Sequence, residues 1–369
     1  MRKTPRNYAP RSHARTGYSG GFSLSEFRYD PVKQTWVILS AERGRRPFNF
    51  GSRSQAVPEP DTCPFCPGNE SMTPPEVYSL RSPGTMPDTP GWRVRVVPNK
   101  YPALSTESPY QDNRPTSGLD GIHGRISGFG SHEILIETPV KNRQMADMDV
   151  GEISEILEVC RERMQSYSND RRFRTVVVFK NHGREAGASL VHSHTQLLAL
   201  PVIPERVATQ LRSFQEFRDA EGVCLLCSIL NREMEEEKRV VSRGNGYLVM
   251  APFAAISPFQ LNIIPLRHEH DFSSAGEDSL HSLAQVLLKT LRRLRSVLGE
   301  HPWNMILHNA PVGQAEDADV SAYHWFIEIT PRLSNPAGFE MGSGYFINTL
   351  APEEYAEILG TQDAGRGTQ

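Results

Sequence analysis

The chain has 369 residues, 40 of them Lys or Arg and 43 Asp or Glu, for a net charge of −3 at pH 7. The length suits two domains, and the near-balance of charge excludes a protein built mainly to coat nucleic acid. Hydrophobic residues make up 38% of the chain, with 16 Phe and 4 Trp: enough for a packed core, yet no run approaches the ~18 apolar residues that span a bilayer.

Residues 1–21 are basic and marked by Gly, Ser and Pro, with no apolar run. They read as a flexible arm, not a secretory signal, and a soluble cytoplasmic protein is expected. Cys63 and Cys66 form the first of two Cys-x-x-Cys pairs, in a Pro-rich loop that suits a zinc knuckle better than a redox centre at a helix start. Strand patterns follow at 92–104 and 132–139. An amphipathic helix then carries Val150, Ile153, Ile156, Leu157, Cys160 and Met164 on one side, where Cys160 is most simply a core thiol. A β-rich stretch at 174–183 and an apolar run ending at Pro201 close this half. The order then repeats: Cys224 and Cys227, strand patterns at 247–257 and 259–268, and a helix with Leu280, Leu283, Leu287, Leu291, Leu294 and Leu298 on one face. Strands at 303–313 and 323–333 complete the second copy. Two copies predict a duplicated α+β domain rather than a solenoid, with a polar hinge near 201–222 after Pro201 and Pro204. The expected division is an arm at 1–21, domains at 22–206 and 207–358, and a tail at 359–369.

The densest polar feature runs from Val191 to Gln196, just before the apolar Leu197 to Leu200. In a strand alternate side chains share a face, so His192, His194 and Gln196 point the same way. Upstream, Asn181 to Ser189 is a small-residue loop, with Gly187 near its end, where backbone amides can approach phosphate oxygens. An imidazole, an amide donor and such a loop together suit nucleotidyl transfer: one ring nitrogen attacks phosphorus while a backbone carbonyl holds the other N–H. The plainer alternative is a pair of half-buried histidines on a sheet face, which does not account for the Gln and the loop. Neither a Walker A motif nor an Asp-rich magnesium constellation stands out.

From about Phe27 to Ile358 these residues resemble the galactose-1-phosphate uridylyltransferase family of the histidine-triad superfamily. Ser40 to Pro47 is similar to the family's Arg-x-x-Arg-Pro segment, with Arg43 and Arg46 in its two arginine positions. Val97 to Leu104 is similar to the nucleotide-binding segment, with Asn99 in the key position, and Asn181, Gly187 and Ser189 stand at the family's spacing before His192 and His194. The resemblance implies an α+β fold made of a tandem pair of histidine-triad-like domains, antiparallel sheets flanked by helices. It implies that His194 is the nucleophile of a covalent nucleotidyl-histidine, that Gln196 bonds the transferring phosphate and marks the transferase branch, and that Ser189 steadies that phosphate. Arg43, Arg46, Asn99, Asn181 and Gly187 would bind substrate. The implied reaction is a ping-pong exchange of UMP between UDP-glucose and galactose 1-phosphate, in galactose metabolism, by a cytoplasmic homodimer whose Phe339–Gly344 segment closes the partner's site. The partners would be nucleotide sugars and sugar phosphates, with no nucleic acid or membrane. Two other readings stay open: a nucleotide-sugar phosphorylase using inorganic phosphate and ADP-glucose, and a zinc-binding scaffold without activity.

By the same resemblance Cys63, Cys66 and His192 belong to a Zn2+ site. Its remaining position, usually His, holds Lys141, whose ammonium has no lone pair to give; His132 or water could complete it. Cys224, Cys227 and His324 resemble a second zinc site found in a plant relative with phosphorylase activity, with Gly246 where that site takes a further His. His268 and His270 read as a solvated loop end, with a ligand role as the alternative. The second half lacks His-x-His-x-Gln and reads as non-catalytic.

Overall fold

The computed structural model describes residues 25–45, 62–110, 116–117, 124–312 and 319–361. The basic arm, Arg46 and the last eight residues lie outside that range.

The first half contains β1 (Glu26–Asp30), β2 (Thr35–Leu39), β3 (Tyr78–Arg81), β4 (Trp92–Pro98), the short strands β5 (Thr116–Ser117) and β6 (Gly124–Arg125), β7 (Ser131–Ile136), α1 (Val150–Ser168), β8 (Thr175–His182) and β9 (His194–Leu200). The second contains α2 (Glu205–Glu221), α3 (Leu225–Glu236), β10 (Val240–Gly244), β11 (Tyr247–Met250), β12 (Leu261–Pro265), α4 (Glu277–Leu298), β13 (Trp303–His308), β14 (Phe326–Pro331), α5 (Gly338–Ser343), β15 (Phe346–Asn348) and α6 (Pro352–Gly360). Local chemistry sets several boundaries. Asp149 caps α1, accepting from the Glu152 amide while the Glu152 side chain returns to the Asp149 N–H, a reciprocal capping box. On α1 the buried stripe is Ile153, Ile156, Leu157, Cys160 and Met164; on α4 it is Leu280, Leu283, Leu287, Leu291 and Leu294. Both match the spacing seen in the sequence, and burial pushes the Cys160 thiol up to about 12, as for an inert core residue.

Ten strands form one sheet in the order β10-β11-β12-β14-β13-β8-β9-β7-β4-β3. Read from the middle outward, the order is the same in both directions, because each half supplies five equivalent strands. The halves meet where β13 pairs antiparallel with β8, from Trp303 opposite His182 to Leu307 opposite Val178. Two unpaired edges are thereby removed, and α1 and α4 lie side by side over one face. A single core cluster runs under both, from Val94 through Leu283 to Leu359, so the halves share a core where the sequence suggests two separate ones.

The segment read as a polar hinge is the helix α2. It carries no Gly or Pro between Glu205 and Glu221, buries Leu211 and Phe214 one helical turn apart, and stops at the left-handed Gly222. With α3 it covers the other face of the second half, packing Leu226 and Leu230 near Leu248, Met250, Ile264 and Phe326. The tail read from residue 359 begins later, since Leu359 is buried in α6. A second sheet, β1-β2-β15, docks the start of the chain on the second half, through Arg28 to Glu353 at 2.9 Å and through Lys33 to Glu328.

Candidate active site

Strand β9 and the turn before it place His192, His194 and Gln196 on the sheet face away from α1. Their neighbours on that face are Ile134 and Ile136 of β7, which pair with Gln196 and His194. Cys63, Phe65 and Trp92 cover this face, and Phe65 meets the His194 ring edge-on at 5.5 Å. His194 is 5% exposed, so it is a buried residue at the rim of a 90 Å³ cavity lined by Asn181, Gly183, Ala188, Leu190 and His192, among others. A larger cavity of 750 Å³ lies between β1 and the second half, with Phe326 on its wall. Phe326 follows His324 as His194 follows His192, and a benzyl group offers no nucleophile. Of the two, the smaller cavity is the one that presents the imidazole of His194.

The His194 tautomer follows from its partner. Nδ1 stands 2.8 Å from the His192 carbonyl oxygen, which can only accept, so Nδ1 carries the proton and Nε2 keeps the lone pair. Burial, with the Lys180 ammonium behind the strand, lowers the His194 pKa and keeps the ring neutral. His192 is fixed in the opposite sense: its Nε2 donates to the Thr138 carbonyl at 2.7 Å, which turns Nδ1 toward Cys63 and Cys66 at 3.5 and 3.8 Å. Two adjacent histidines on one face thus present different nitrogens.

Gln196 is oriented by His132. The Ala103 amide donates to His132 Nδ1 at 3.3 Å, and His132 Nε2 stands 3.0 Å from Gln196 Oε1. The Gln196 amide nitrogen is thereby turned away from His132. Asn99 Nδ2 stands 3.1 Å from the same Nε2. The suggestion that His132 completes the first metal site is therefore incorrect: it sits with Asn99 and Gln196 instead. Asn181, at the end of β8, borders the loop on which Gly187 and Ser189 are exposed. Gly183 is required there by close approach, since a Cβ would stand 2.8 Å from Pro302 Cβ. Arg43 is exposed on the short turn after β2, on the second-half side of the molecule, where Ser40 N–H reaches the Asn348 carbonyl.

Directly behind His194 lies a network the sequence did not reveal. Ser193 and Thr195, alternating with the site residues, face the core and donate to Glu137 at 2.5 and 2.6 Å. Lys180 pairs with the same carboxylate at 2.8 Å, with both side chains almost wholly enclosed, and reaches the His194 carbonyl at 3.2 Å. Burial alone would raise the Glu137 carboxyl, but Lys180 and the two hydroxyls hold it below its ordinary value.

Two groups of side chains are spaced as metal donors, their ligand atoms within 4.8 Å of one another: Cys63, Cys66 and His192, and Cys224, Cys227, His268 and His324. The second set has the Cys2His2 composition of tetrahedral zinc sites. His268 is exposed, as a loop end is, and also takes the alternative ligand place: its Nδ1 is 3.8 Å from Cys227, and its Nε2 donates to the Ser321 carbonyl at 2.9 Å. Gly246 serves the β10–β11 hairpin, where Asn245 and Gly246 both take positive φ. His324 Nε2 donates to the Pro265 carbonyl at 3.0 Å, the counterpart of the His192–Thr138 bond. Contact with Cys227 pulls the Cys224 thiol down while Cys227 is pushed up, which favours a thiolate at Cys224, the form that binds metal. The first set has three donors among the described residues, and Lys141 is not one of them.

The sheet order and the place of the His-x-His-x-Gln strand are those of a duplicated histidine-triad fold. The chain belongs to the galactose-1-phosphate uridylyltransferase family: the family's N-terminal domain matches residues 20–204 and its C-terminal domain residues 210–342. ADP-glucose phosphorylase of Arabidopsis thaliana is 35% identical over 90% of this chain and 92% of its own length. Its crystal structure with bound ADP-glucose aligns with a TM-score of 0.77 at 34% identity, covering 92% of this chain and 98% of that one. The galactose-1-phosphate uridylyltransferase of Thermotoga maritima is 27% identical over 91% of this chain and 98% of its own. Among the described residues no helix is long and apolar enough to cross a membrane.

Proposed function

We propose that this protein transfers a nucleotidyl group from a nucleoside-diphosphate hexose by way of a covalent adduct on His194, with ADP-glucose as donor and inorganic phosphate as acceptor. The observation that carries the reading is the His194 ring: neutral, with Nδ1 bound to a carbonyl and Nε2 free to attack. In the first step Nε2 forms a bond to the α-phosphorus as the bond to the bridging oxygen breaks, and glucose 1-phosphate leaves with that electron pair. In the second an oxygen of inorganic phosphate attacks the same phosphorus, the P–N bond breaks, ADP forms and the imidazole returns to its starting state. Gln196, Ser189, Asn181 and the Gly187 loop are assigned to the transferring phosphate, and Asn99, Arg43 and Arg46 to the nucleotide sugar. A phosphoryl transition state spreads charge over its oxygens, so positioned donors contribute most of the catalysis.

The choice of donor and acceptor is supported by the 35% identity to ADP-glucose phosphorylase. The family match and the 27% identity to a uridylyltransferase favour a second reading, in which UDP-glucose supplies UMP and galactose 1-phosphate accepts it. Both share every residue named here. We assign Zn2+ to the two Cys/His groups; when bound, the ion supplies a structural anchor for the turns that carry His192 and His324. The two halves act together in a cytoplasmic homodimer. This is supported by Arg43 lying on the second-half side and by Phe339 and Met341 in α5, 46% and 82% exposed. The test is turnover with ADP-, UDP- and GDP-sugars against inorganic phosphate and galactose 1-phosphate. Phosphate-dependent release of glucose 1-phosphate from ADP-glucose supports the first reading, and exchange only between UDP-glucose and galactose 1-phosphate supports the second. Turnover with neither pair would contradict both.

A further inference from the structure

The loop beside His194 is held from the half of the chain that lacks the histidine motif. Three consecutive residues at the start of β13 and just before it do this: Pro302 packs against Gly183, Trp303 stacks on the His182 ring at 5.2 Å, and Asn304 reaches into the loop. Asn304 lies opposite Asn181 across the β13–β8 seam. Its Nδ2 donates to the Ala186 carbonyl and to Asn181 Oδ1, each at 2.8 Å.

That pair of bonds fixes an orientation. The Ala186 backbone oxygen can only accept, so the Asn304 atom facing it is the NH2 group. The Asn181 atom facing the same NH2 must then be its oxygen, which leaves the Asn181 NH2 on the far side, 3.6 Å from where a Cβ on Gly187 would stand. A phosphate oxygen needs a donor, and the free end of Asn181 is the donating end only while Asn304 holds the other. Through Ala186, Asn304 also secures the short turn Arg184–Ala186 that leads into Gly187.

We propose that Asn304 is a positioning residue for the transfer, locking the Asn181 carboxamide so that its NH2 meets a phosphate oxygen of the nucleotide sugar. The inference rests on the nucleotidyl-transfer reading above and adds to it a role for the non-catalytic half at the phosphate.

A double-mutant cycle on the full chain tests it, with Asn304→Ala, Asn181→Ala and the double variant read by kcat, by KM and by the single-turnover rate of label transfer from [α-32P]ADP-glucose to protein. Asn304→Ala should slow transfer about 10- to 100-fold, the range for one misplaced hydrogen-bond donor, with thermal midpoint little changed. In the Asn181→Ala background the same substitution should cost at least fivefold less, because the group it orients is gone and only its bond to the Ala186 carbonyl remains to be lost. Asn304→Asp, which can only accept, should be at least as slow as the alanine variant; Asn304→Ser replaces Asn304→Ala in the cycle if that variant is unstable. Equal fold-losses in both backgrounds, or wild-type transfer by Asn304→Ala, would overturn the inference. If the wild type itself takes no label from any nucleotide sugar, the transfer reading fails, and the inference is then judged on ADP affinity by calorimetry. There Asn304→Ala must weaken binding more with Asn181 present than in the Asn181→Ala background, and equal weakening in both backgrounds, or none, would overturn it.

Discussion

At the scale of single residues, the site depends on which nitrogen or oxygen each side chain presents. His194 and His192 were legible because alternation in a strand is a local rule that puts both on one face with Gln196. His132 was not, because its place beside Gln196 depends on the pairing of β7 with β9, residues more than sixty positions apart whose register no local pattern gives. The structure makes His132 the residue that turns the Gln196 amide. His132→Ala should therefore lower kcat about 10- to 100-fold with little change in KM, and should add little to the loss caused by Gln196→Ala. Steady-state kinetics on the two single variants and the double variant measure this; a multiplicative double loss would mean that the two act separately. His268 was legible only as one of two alternatives. Its neighbours Arg267 and Glu269 look solvated, and only the folding of the loop after β12 brings it to Cys227. Metal analysis of purified protein should find His268→Ala short of about one zinc per chain relative to wild type, with a lower thermal midpoint. An unchanged metal content would remove His268 from the ligand set.

At the scale of elements, α1, α4 and the strands β4, β7, β8, β9, β11, β12, β13 and β14 followed from periodicity, because the two helices each bury one stripe and the strands carry apolar runs. What periodicity could not supply was the reason for polar residues on the core side of β9. Ser193 and Thr195 would be poor core residues alone; they are satisfied by Glu137, which is in turn neutralised by Lys180 from β8. Removing one partner of such a pair leaves a buried charge, so Glu137→Gln should destabilise by about 3–5 kcal/mol, read as a shift in denaturant midpoint. The acid response follows from the same carboxylate. Its folded pKa lies below the ordinary value of 4.5, so its contribution is complete above about pH 4.5 and is lost as pH falls through the folded value. The wild type should therefore lose stability on acidification more steeply than Glu137→Gln, and equal slopes would show that the pair does not titrate with folding.

At the scale of the whole molecule, the duplication was visible as a repeated order of elements, but its consequence was not. Nothing local in the β8 or β13 sequences states that they pair, and that pairing converts two expected domains into one ten-stranded sheet with a common core. The polarity of α2 also concealed a helix, because only Leu211 and Phe214 and their neighbours on one face are buried. The two faces then diverged. In the first half the outer face carries His194, while in the second α2 and α3 cover it and Phe326 stands in the equivalent place. If the second half completes its partner's site, mixing His194→Ala with a variant disrupted over Phe339–Gly344 should restore about a quarter of wild-type activity after subunits reassort at random. A fully active monomer by sedimentation, or heterodimers without activity, would exclude shared sites.

The central claim is that the neutral His194 ring, with Nδ1 bonded to the His192 carbonyl and the lone pair left on Nε2, carries the nucleotidyl group between donor and acceptor. The most direct measurement is peptide mapping by mass spectrometry after brief incubation with ADP-glucose, and separately with UDP-glucose, without acceptor. The account predicts one acid-labile nucleotidyl group on the peptide that contains His194, absent from His194→Ala and discharged by adding the acceptor. Turnover with no such adduct, or an adduct that persists in His194→Ala, would contradict it.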